Sequence, residues 1–341
     1  MLLQPTLVND AASRMQDGQS ASAGGMTIGM VTNPRSGGNR KGLGKIREFL
    51  AENSQIHHGE AVTPAELQAV LAGFAARDID LLIVNGGDGT AQAVLTALYG
   101  QAVFARPPLL ALLRAGTTSM LARDVGIAGD SPAALAKVTA WAAGRRGNDK
   151  NIHARSVLQV HRKEYSTPLC GMFFGAGAIP QGIDLFHRRM NTRGVRGEFM
   201  PGLILARLLL AVFTGNEKLL PPTEVEIRRD EAAAQRVCCL FTLVSTLERL
   251  FLGLRPYWGE EEAPLHLTAV QSKPRYLLRN LPAVLRGRRT AGLSPENGYL
   301  SHNARRITLD FSGRFTLDGE LFEAASPLTI EAAGPARFLR I

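Results

Sequence analysis

Hydrophobic and polar residues follow a regular alternation over the first part of the chain. Short, almost continuous apolar runs alternate with amphipathic stretches of helical length, the second of which has Pro64 in its first turn. The runs are MTIGMV, QIHHGEAV, DLLIVN and PLLALLR, and the helical stretches are KGLGKIREFLAEN, PAELQAVLAGFAAR, GTAQAVLTALYG and TTSMLARDVG. Apolar strands separated by helices are typical of a parallel sheet covered on both faces. Residues 26–148 are therefore predicted to form a doubly wound α/β domain.

The pattern changes after residue 148. Short segments such as RSVLQVHRK, QRVCCLFTLVST, LHLTAVQS and RRITLDFSGRFTLDG are rich in strand-forming residues and are separated by Gly, Pro and Asp. They predict an antiparallel β-sandwich domain over residues 149–330, with helical insertions around 200–214 and 274–287. Whether the last segment, 331–341, returns to the first domain is left open.

Neither the polar N-terminal segment nor the longest apolar stretch has the pattern of a segment that enters a membrane. Residues 1–25 are polar and rich in small side chains, without the basic start and apolar centre of a secretory signal, and they predict a disordered tail. The longest apolar stretch, Leu203–Phe213, contains Arg207 and is shorter than the ~20 residues that span a bilayer. Three cysteines are too few for a disulfide framework, so we expect a cytoplasmic protein.

The charge balance indicates an anionic partner. The formal net charge is +9, but aromatic residues are only 6% and are not interleaved with basic stretches, which argues against nucleic acid. Basic residues cluster at Arg188, Arg189, Arg193 and Arg196, and again at Arg286, Arg288 and Arg289. These clusters favour peripheral attachment to the anionic inner face of a membrane. A homodimer is left open.

Three turns containing glycine follow strands of the predicted parallel sheet. They read NPRSGG at 33–38, GGDGT at 86–90 and RAGTT at 114–118. Because the carboxyl ends of parallel strands lie along one edge, we expect the turns to meet at one crevice. Helix N-termini there present N–H groups and a positive dipole end to an anion. The turns predict a nucleotide site, although neither of the common phosphate-binding glycine motifs is present.

Asp88 is the one carboxylate within these turns. Beside bound phosphates it would be suited to a Mg²⁺ ion, which takes oxygen ligands from protein and phosphate together. The alternative is an N-cap for the helix that follows, a position in which Asp is common. The two roles are compatible.

The order of these motifs resembles the diacylglycerol kinase family, which includes bacterial lipid kinases, sphingosine kinases and ceramide kinases. The similar motifs are Asn33-Pro34-x-Ser36-Gly37, Gly86-Gly87-Asp88-Gly89-Thr90, Gly116-Thr117 and the late Asp318-Gly319-Glu320. The resemblance extends over nearly the whole chain after the tail. It implies a first domain like those of NAD kinases and diacylglycerol kinases, a second β-rich lipid-substrate domain, and ATP-dependent transfer of phosphate to a lipid hydroxyl with Mg²⁺.

The resemblance also implies roles for individual residues. Asp88 would hold Mg²⁺ through water, and Glu320 would accept the proton of the lipid hydroxyl. Asp318 is the competing candidate for that base, although Asp-Gly is also a strong hairpin-turn signal. The implied nucleotide site comprises Asn33, Ser36, Gly37, Thr63, Gly86, Gly87, Asp88, Gly89, Thr90, Gly116 and Thr117.

The sequence differs from the family pattern in three places. Ala93 stands where many members have a glutamate, and the stretch from Gly116 to Met120 lacks the Asn-Asp pair of bacterial relatives. The acidic metal segment of the second domain has only a loose counterpart in Glu260–Glu262. The acceptor lipid (diacylglycerol, sphingoid or ceramide type) is therefore left open. An NAD kinase and a catalytically silent nucleotide-binding or membrane-binding protein are the alternatives.

Overall fold

The computed structural model describes residues 25–116, 119–144, 149–184, 222–324 and 326–341. Several predictions fall outside these ranges: all of the predicted tail but Gly25, the nucleotide contact Thr117, the first arginine cluster and the apolar stretch Leu203–Phe213.

The first part of the chain alternates strands and helices as the hydrophobic pattern predicts. Its strands are β1 (Ile28–Thr32), β2 (Ile56–Glu60), β3 (Leu81–Gly86) and β4 (Leu109–Arg114). Its helices are α1 (Asn39–Glu52), α2 (Pro64–Ala75), α3 (Asp88–Leu95), α4 (Met120–Val125) and α5 (Ser131–Gly144), and α3 continues into a π-helical turn, Thr96–Gly100. The four strands pair in parallel in the order β4-β3-β1-β2, which confirms the predicted α/β architecture.

The later strands pair antiparallel with one another. They are β5 (Ile152–Arg162), β6 (Leu169–Gly171), β7 (Phe173–Gly177), β8 (Thr223–Arg229), β9 (Gln235–Ser245), β10 (Leu265–Gln271), β11 (Tyr299–Ala304), β12 (Arg306–Asp310), β13 (Arg314–Leu317), β14 (Glu320–Glu323) and β15 (Leu328–Leu339). One helix, α6 (Leu277–Arg286), lies within the predicted insertion at 274–287. In the described part of the chain, every helix is too short or too polar to cross a bilayer.

The last strand joins the two sets of strands. Strand β15 pairs antiparallel with β5 and β12, and near its end Phe338 pairs in parallel with Leu110 of β4. The parallel and antiparallel strands therefore belong to one hydrogen-bonded sheet, and the end of the chain lies beside the first four strands.

The parallel strands are buried on both faces. In β3, Leu82 and Val84 face the apolar cluster that contains Leu71 of α2. Leu81 and Ile83 point to the opposite cluster, which contains Leu135 of α5. Because helices cover both faces, every position of the strand is apolar until Asn85, and polar residues enter only where the strand reaches its carboxyl end.

Candidate functional site

The three predicted turns meet at the carboxyl edge of the parallel strands, and the first turn contacts both of the others. The Gly38 N–H donates to Ala115 O at 2.8 Å. The Gly87 N–H donates to Ser36 Oγ at 3.2 Å, and Asn33 Nδ2 donates to Thr90 Oγ1 at 3.1 Å. The convergence predicted from strand direction is therefore present.

Two glycines allow the second and third turns to approach one another. A Cβ atom on Gly116 would lie 2.6 Å from the Cα of Gly87, closer than real Cβ contacts come. The sequence suggested that glycine opens this edge to phosphate oxygens. The structure adds a second requirement, which is that the two backbones themselves are in contact.

Two buried asparagines support the turns, and the sequence analysis assigned a role to neither. Asn39 Nδ2 donates to Asn33 O at 2.8 Å and to Asn85 O at 3.1 Å, so it links the first turn to the end of β3. The Asn85 side chain is also fully buried, and its Oδ1 has no hydrogen-bond partner among the described residues. The available signal was a polar residue within an apolar strand, which usually needs a buried partner.

Asp88 does not cap its own helix, contrary to the simpler of the two alternatives. Gly87 is the N-cap of α3 and makes no side-chain cap. The Asp88 carboxylate instead accepts the Met120 N–H at 3.0 Å and the Leu121 N–H at 3.0 Å. It therefore stabilises the N-terminus of α4 and connects the second turn to the third.

Thr63 begins α2 as the N-cap of a capping box. The Glu66 N–H donates to the Thr63 hydroxyl at 3.3 Å, and the Glu66 carboxylate accepts the Thr63 N–H at 3.1 Å. Backbone hydrogen bonds from Val62 and Thr63 lower the pKa of Glu66, and the charge of Arg35 acts in the same direction. The Thr63 hydroxyl therefore serves the helix, and its predicted nucleotide contact stays a prediction.

Glu320 reaches the second turn from the antiparallel strands. It follows a two-residue hairpin turn in which Asp318 and Gly319 have φ values of 51° and 92°, which confirms the predicted Asp-Gly turn. A side chain at position 89 would collide with the Glu320 carboxylate, so Gly89 provides the space that this carboxylate occupies. Glu320 is exposed, and it lies at the N-terminus of α3.

Asp318 is only 2% exposed and is engaged in the structure. Its carboxylate accepts the Met172 N–H at 3.0 Å and the Phe173 N–H at 2.8 Å. Burial raises the pKa of Asp318 well above its ordinary value, and the negative charge of Asp88 raises it further, against the effect of the two N–H donors. Of the two predicted base candidates, Glu320 is exposed and Asp318 is buried, and the base role of each stays a prediction.

Ala93, where relatives have a glutamate, packs half-buried against the larger apolar cluster. Its neighbour Gln92 is buried and donates from Nε2 to Thr96 Oγ1 at 2.9 Å and to Cys170 O at 3.2 Å. This face of α3 therefore packs against β6. Burial raises the pKa of the Cys170 thiol to about 12, as expected for a structural cysteine.

The acidic segment of the later strands is held by partners of its own. Glu261 accepts from His302 Nδ1 at 2.6 Å and from the Asn303 N–H at 2.9 Å, and Glu260 pairs with Arg289. Burial would raise the pKa of Glu261, but these hydrogen bonds lower it to about 2. In the described ranges, no three His, Cys, Asp or Glu side chains are grouped to hold a metal ion.

The site nevertheless fits a Mg²⁺ ion that takes most of its ligands from phosphate and water. Such ions are commonly bound through one or two carboxylates together with substrate phosphates. Asp88 and Glu320 are two carboxylates at the start of α3. A protein-only metal cage is not supported by the described residues.

Comparison with known proteins agrees with this geometry. Residues 27–145 match the family model of the diacylglycerol kinase catalytic domain. The resemblance to this family is confirmed. The matched segment contains all three glycine turns and Asp88, and its family is one of kinases, so a phosphotransferase activity is indicated.

Two solved structures support the fold over nearly the whole chain. A presumed diacylglycerol kinase from Bacillus anthracis strain Sterne has a TM-score of 0.64 and 18% identity, covering 93% of this chain and 98% of its own. A diacylglycerol kinase from the same strain has a TM-score of 0.60 and 17% identity, with the same coverage of both chains. Yeast NADH kinase complexed with NADH has a TM-score of 0.48 and 11% identity, covering 94% of this chain and 84% of its own. A search of curated proteins finds no match to this sequence.

The raised pKa of Asp318 predicts a pH-dependent stability difference. The folded state holds the Asp318 proton more tightly than the unfolded state, in which the carboxyl pKa is near 3.8. The fold therefore loses stability as the pH rises from about 4 towards the raised pKa of the folded state. Asp318→Asn removes the charge, and its unfolding free energy relative to the parent protein should therefore increase between pH 4 and pH 8. Urea unfolding at several pH values measures this difference.

Asp78→Asn is the matched control, because Asp78 is exposed and shares the positive φ of Asp318. Its difference from the parent protein should change little with pH. The interpretation is wrong if the Asp318→Asn difference is equally constant.

Proposed function

We propose that this protein is an ATP- and Mg²⁺-dependent kinase that transfers the γ-phosphoryl group to the hydroxyl of a membrane lipid. We place it in the cytoplasm, at the anionic inner face of the membrane. The observation that carries the proposal is the position of Glu320. An exposed carboxylate from the antiparallel strands lies on Gly89, within the turns that have the features of a nucleotide site.

The nucleotide phosphates would bind at the start of α3. The first N–H groups of a helix have no partner within the helix, and here they follow Gly87 at the edge of the sheet. Arg35 and Arg40 belong to the neighbouring first turn and the start of α1, and both are exposed. Their charges would complement the phosphates.

Asp88 would hold the metal through water, between the protein and the phosphates. When bound, Mg²⁺ would neutralise the charge on the phosphate oxygens. Two backbone N–H groups fix the Asp88 carboxylate, so its position does not depend on the nucleotide. Such preorganisation is what phosphoryl transfer requires of the protein.

Glu320 would act as the general base. As the lipid oxygen attacks the γ-phosphorus, Glu320 accepts the hydroxyl proton, the bond to the β-phosphate oxygen breaks, and ADP leaves. Asp318 is better placed as support, because its carboxylate fixes the backbone of Met172 and Phe173 next to the hairpin.

Replacing Asp88 tests the nucleotide half of the site. Asp88→Asn loses the negative charge and one of the two acceptors for the α4 amides. ATP-dependent lipid phosphorylation should fall at least about a hundredfold. The expected stability loss is about 1 kcal/mol, as for a helix cap. Turnover with labelled ATP measures the loss of activity, and thermal unfolding measures the loss of stability. The control is Asp80→Asn, at an exposed position. Unchanged turnover in Asp88→Asn would exclude the role proposed for Asp88.

Replacing Glu320 tests the base. Glu320→Gln should lower kcat by about 10²–10⁴-fold while nucleotide affinity changes little, because the proton acceptor is lost and the glycine turns remain. Glu323→Gln is the matched control, since Glu323 is exposed at the other end of the same short strand. Equal effects of both variants on kcat would contradict the assignment.

The acceptor is identified by incubation with labelled ATP and a lipid extract, with NAD as the competing acceptor, followed by mass spectrometry. The proposal predicts a phosphorylated lipid and no NADP. Labelled NADP alone would favour the NAD kinase alternative. ATP binding without any product would favour a catalytically silent protein. Ala93 and the missing Asn-Asp pair are the features that suggest this alternative.

A further inference from the structure

Exposed large hydrophobic side chains are concentrated around α6. Among the described residues, four are mostly exposed: Tyr165 at 53%, Leu252 at 62%, Tyr276 at 66% and Leu278 at 64%. Tyr276 is the N-cap of α6, and Leu278 is its second residue. Leu252 is near the other end of the helix, because three residues later the Arg255 N–H donates to Leu285 O at 3.0 Å.

Helix α6 presents a mixed apolar and basic face to solvent. Its opposite side is buried through Asn280 and Val284, and Val284 belongs to a small cluster with Trp258 and Tyr299. The exposed residues Leu278, Arg279, Pro282 and Arg286 have the spacing of a single helix face. The face therefore carries hydrophobic and cationic groups side by side.

The surrounding segment is strongly basic. Residues 272–292 contain six Lys and Arg residues and no Asp or Glu. Arg289 pairs with Glu260, whereas the side chains of Arg275, Arg279 and Arg286 make no ion pair with any residue that the structure describes. Their charges are therefore available to an external anion.

Two of these exposed apolar residues, Tyr276 and Leu252, are held in an unusual backbone conformation. Tyr276 has φ 56° and Leu252 has φ 57°, in the left-handed region that bulky residues seldom adopt. The conformation of Tyr276 is secured by the Arg275 N–H, which donates to Asn297 O at 2.8 Å, and by the Asn280 N–H, which donates to Tyr276 O at 3.0 Å. The fold thus projects a tyrosine and a leucine into solvent without burying either.

We propose that this α6 surface docks the protein on the headgroup layer of a bilayer that contains anionic lipids. The α6 surface comprises Leu252, Arg275, Tyr276, Leu278, Arg279, Pro282 and Arg286. Tyrosine and leucine side chains enter the membrane interface, and neighbouring arginines are attracted to anionic headgroups. A nucleic acid would use the arginines but would gain nothing from Leu252 and Leu278.

This inference deepens the proposed function, because a kinase acting on lipid needs its site held at a membrane. The binding itself can be measured independently of any phosphorylation. Vesicle association and lipid turnover therefore test the two proposals separately.

The experiment is co-sedimentation of the full chain with vesicles of equal phosphatidylcholine and phosphatidylglycerol, and with phosphatidylcholine vesicles alone. Binding should require the anionic lipid and weaken at high salt. The double variant Arg279→Gln/Arg286→Gln should bind about thirtyfold more weakly, at the usual strength of a basic residue near such a surface. Leu278→Ser should bind about tenfold more weakly, through lost apolar burial.

Matched controls use equal changes elsewhere on the surface. Arg228→Gln/Arg305→Gln removes the same charge from two exposed positions, and Tyr165→Ser removes an exposed aromatic ring. Both should bind like the parent protein, and all variants should keep the parent melting temperature. Parent-like binding by the α6 variants, or equal losses in the controls, would overturn the proposal.

Two further outcomes separate this proposal from its alternatives. If the α6 variants lose affinity for duplex DNA while vesicle binding is unchanged, the surface binds nucleic acid and the proposal is wrong. With acceptor lipid in uncharged detergent micelles, the α6 variants should phosphorylate as fast as the parent protein. If the parent phosphorylates no lipid there, the kinase proposal fails, and the vesicle result still decides the docking surface.

Discussion

The Asp88 carboxylate is the contact on which the rest of the site depends. It accepts the first two N–H groups of α4, a helix of six residues that is too short to be stable without such support. The same contact holds the second turn against the third, where Gly87 and Gly116 touch. At the other end of α4, the Glu248 N–H donates to Asp124 at 3.4 Å. Asp88 at one end of α4 and Asp124 at the other therefore connect the glycine turns to the segment that follows β9.

The same region concentrates negative charge. Asp88 and Asp318 are close enough for one to raise the pKa of the other, and Glu320 lies one residue beyond Gly319 on the adjoining turn. Grouped carboxylates of this kind destabilise the fold unless a cation or a proton offsets them. Asp318 responds with a raised pKa, and it does so directly beside the edge where the phosphates of a nucleotide would bind. Perturbed acids in a cleft are typical of functional sites.

Sequence patterns predicted the parts of the site that follow from chain direction. The apolar runs indicated parallel strands, and parallel strands bring their following turns to one edge, so the convergence of the three turns was predictable. The contact of Gly116 with Gly87 and the buried links from Asn39 were not, because they depend on how closely two turns approach in three dimensions. A cap on α3, the nearer helix, was one of the two roles that the sequence offered for Asp88. The carboxylate accepts the first N–H groups of α4 instead, a contact between distant parts of the chain. At Thr63 the capping-box signature, Thr-x-x-Glu, was already legible in the sequence.

The pairing of β15 with β4 limits how far the two sets of strands can separate at the site. Phe338 pairs with Leu110, and Gln92 and Thr96 bind the Cys170 carbonyl, so the strands that carry Glu320 are attached to the nucleotide turns at two places. Wide opening between them would break backbone pairing as well as buried side-chain hydrogen bonds. Ala93 belongs to the same attachment: a glutamate there would have to enter the apolar contact between α3 and the strands. In this arrangement Glu320 lies against Gly89, and the two attachments hold the strands in place there.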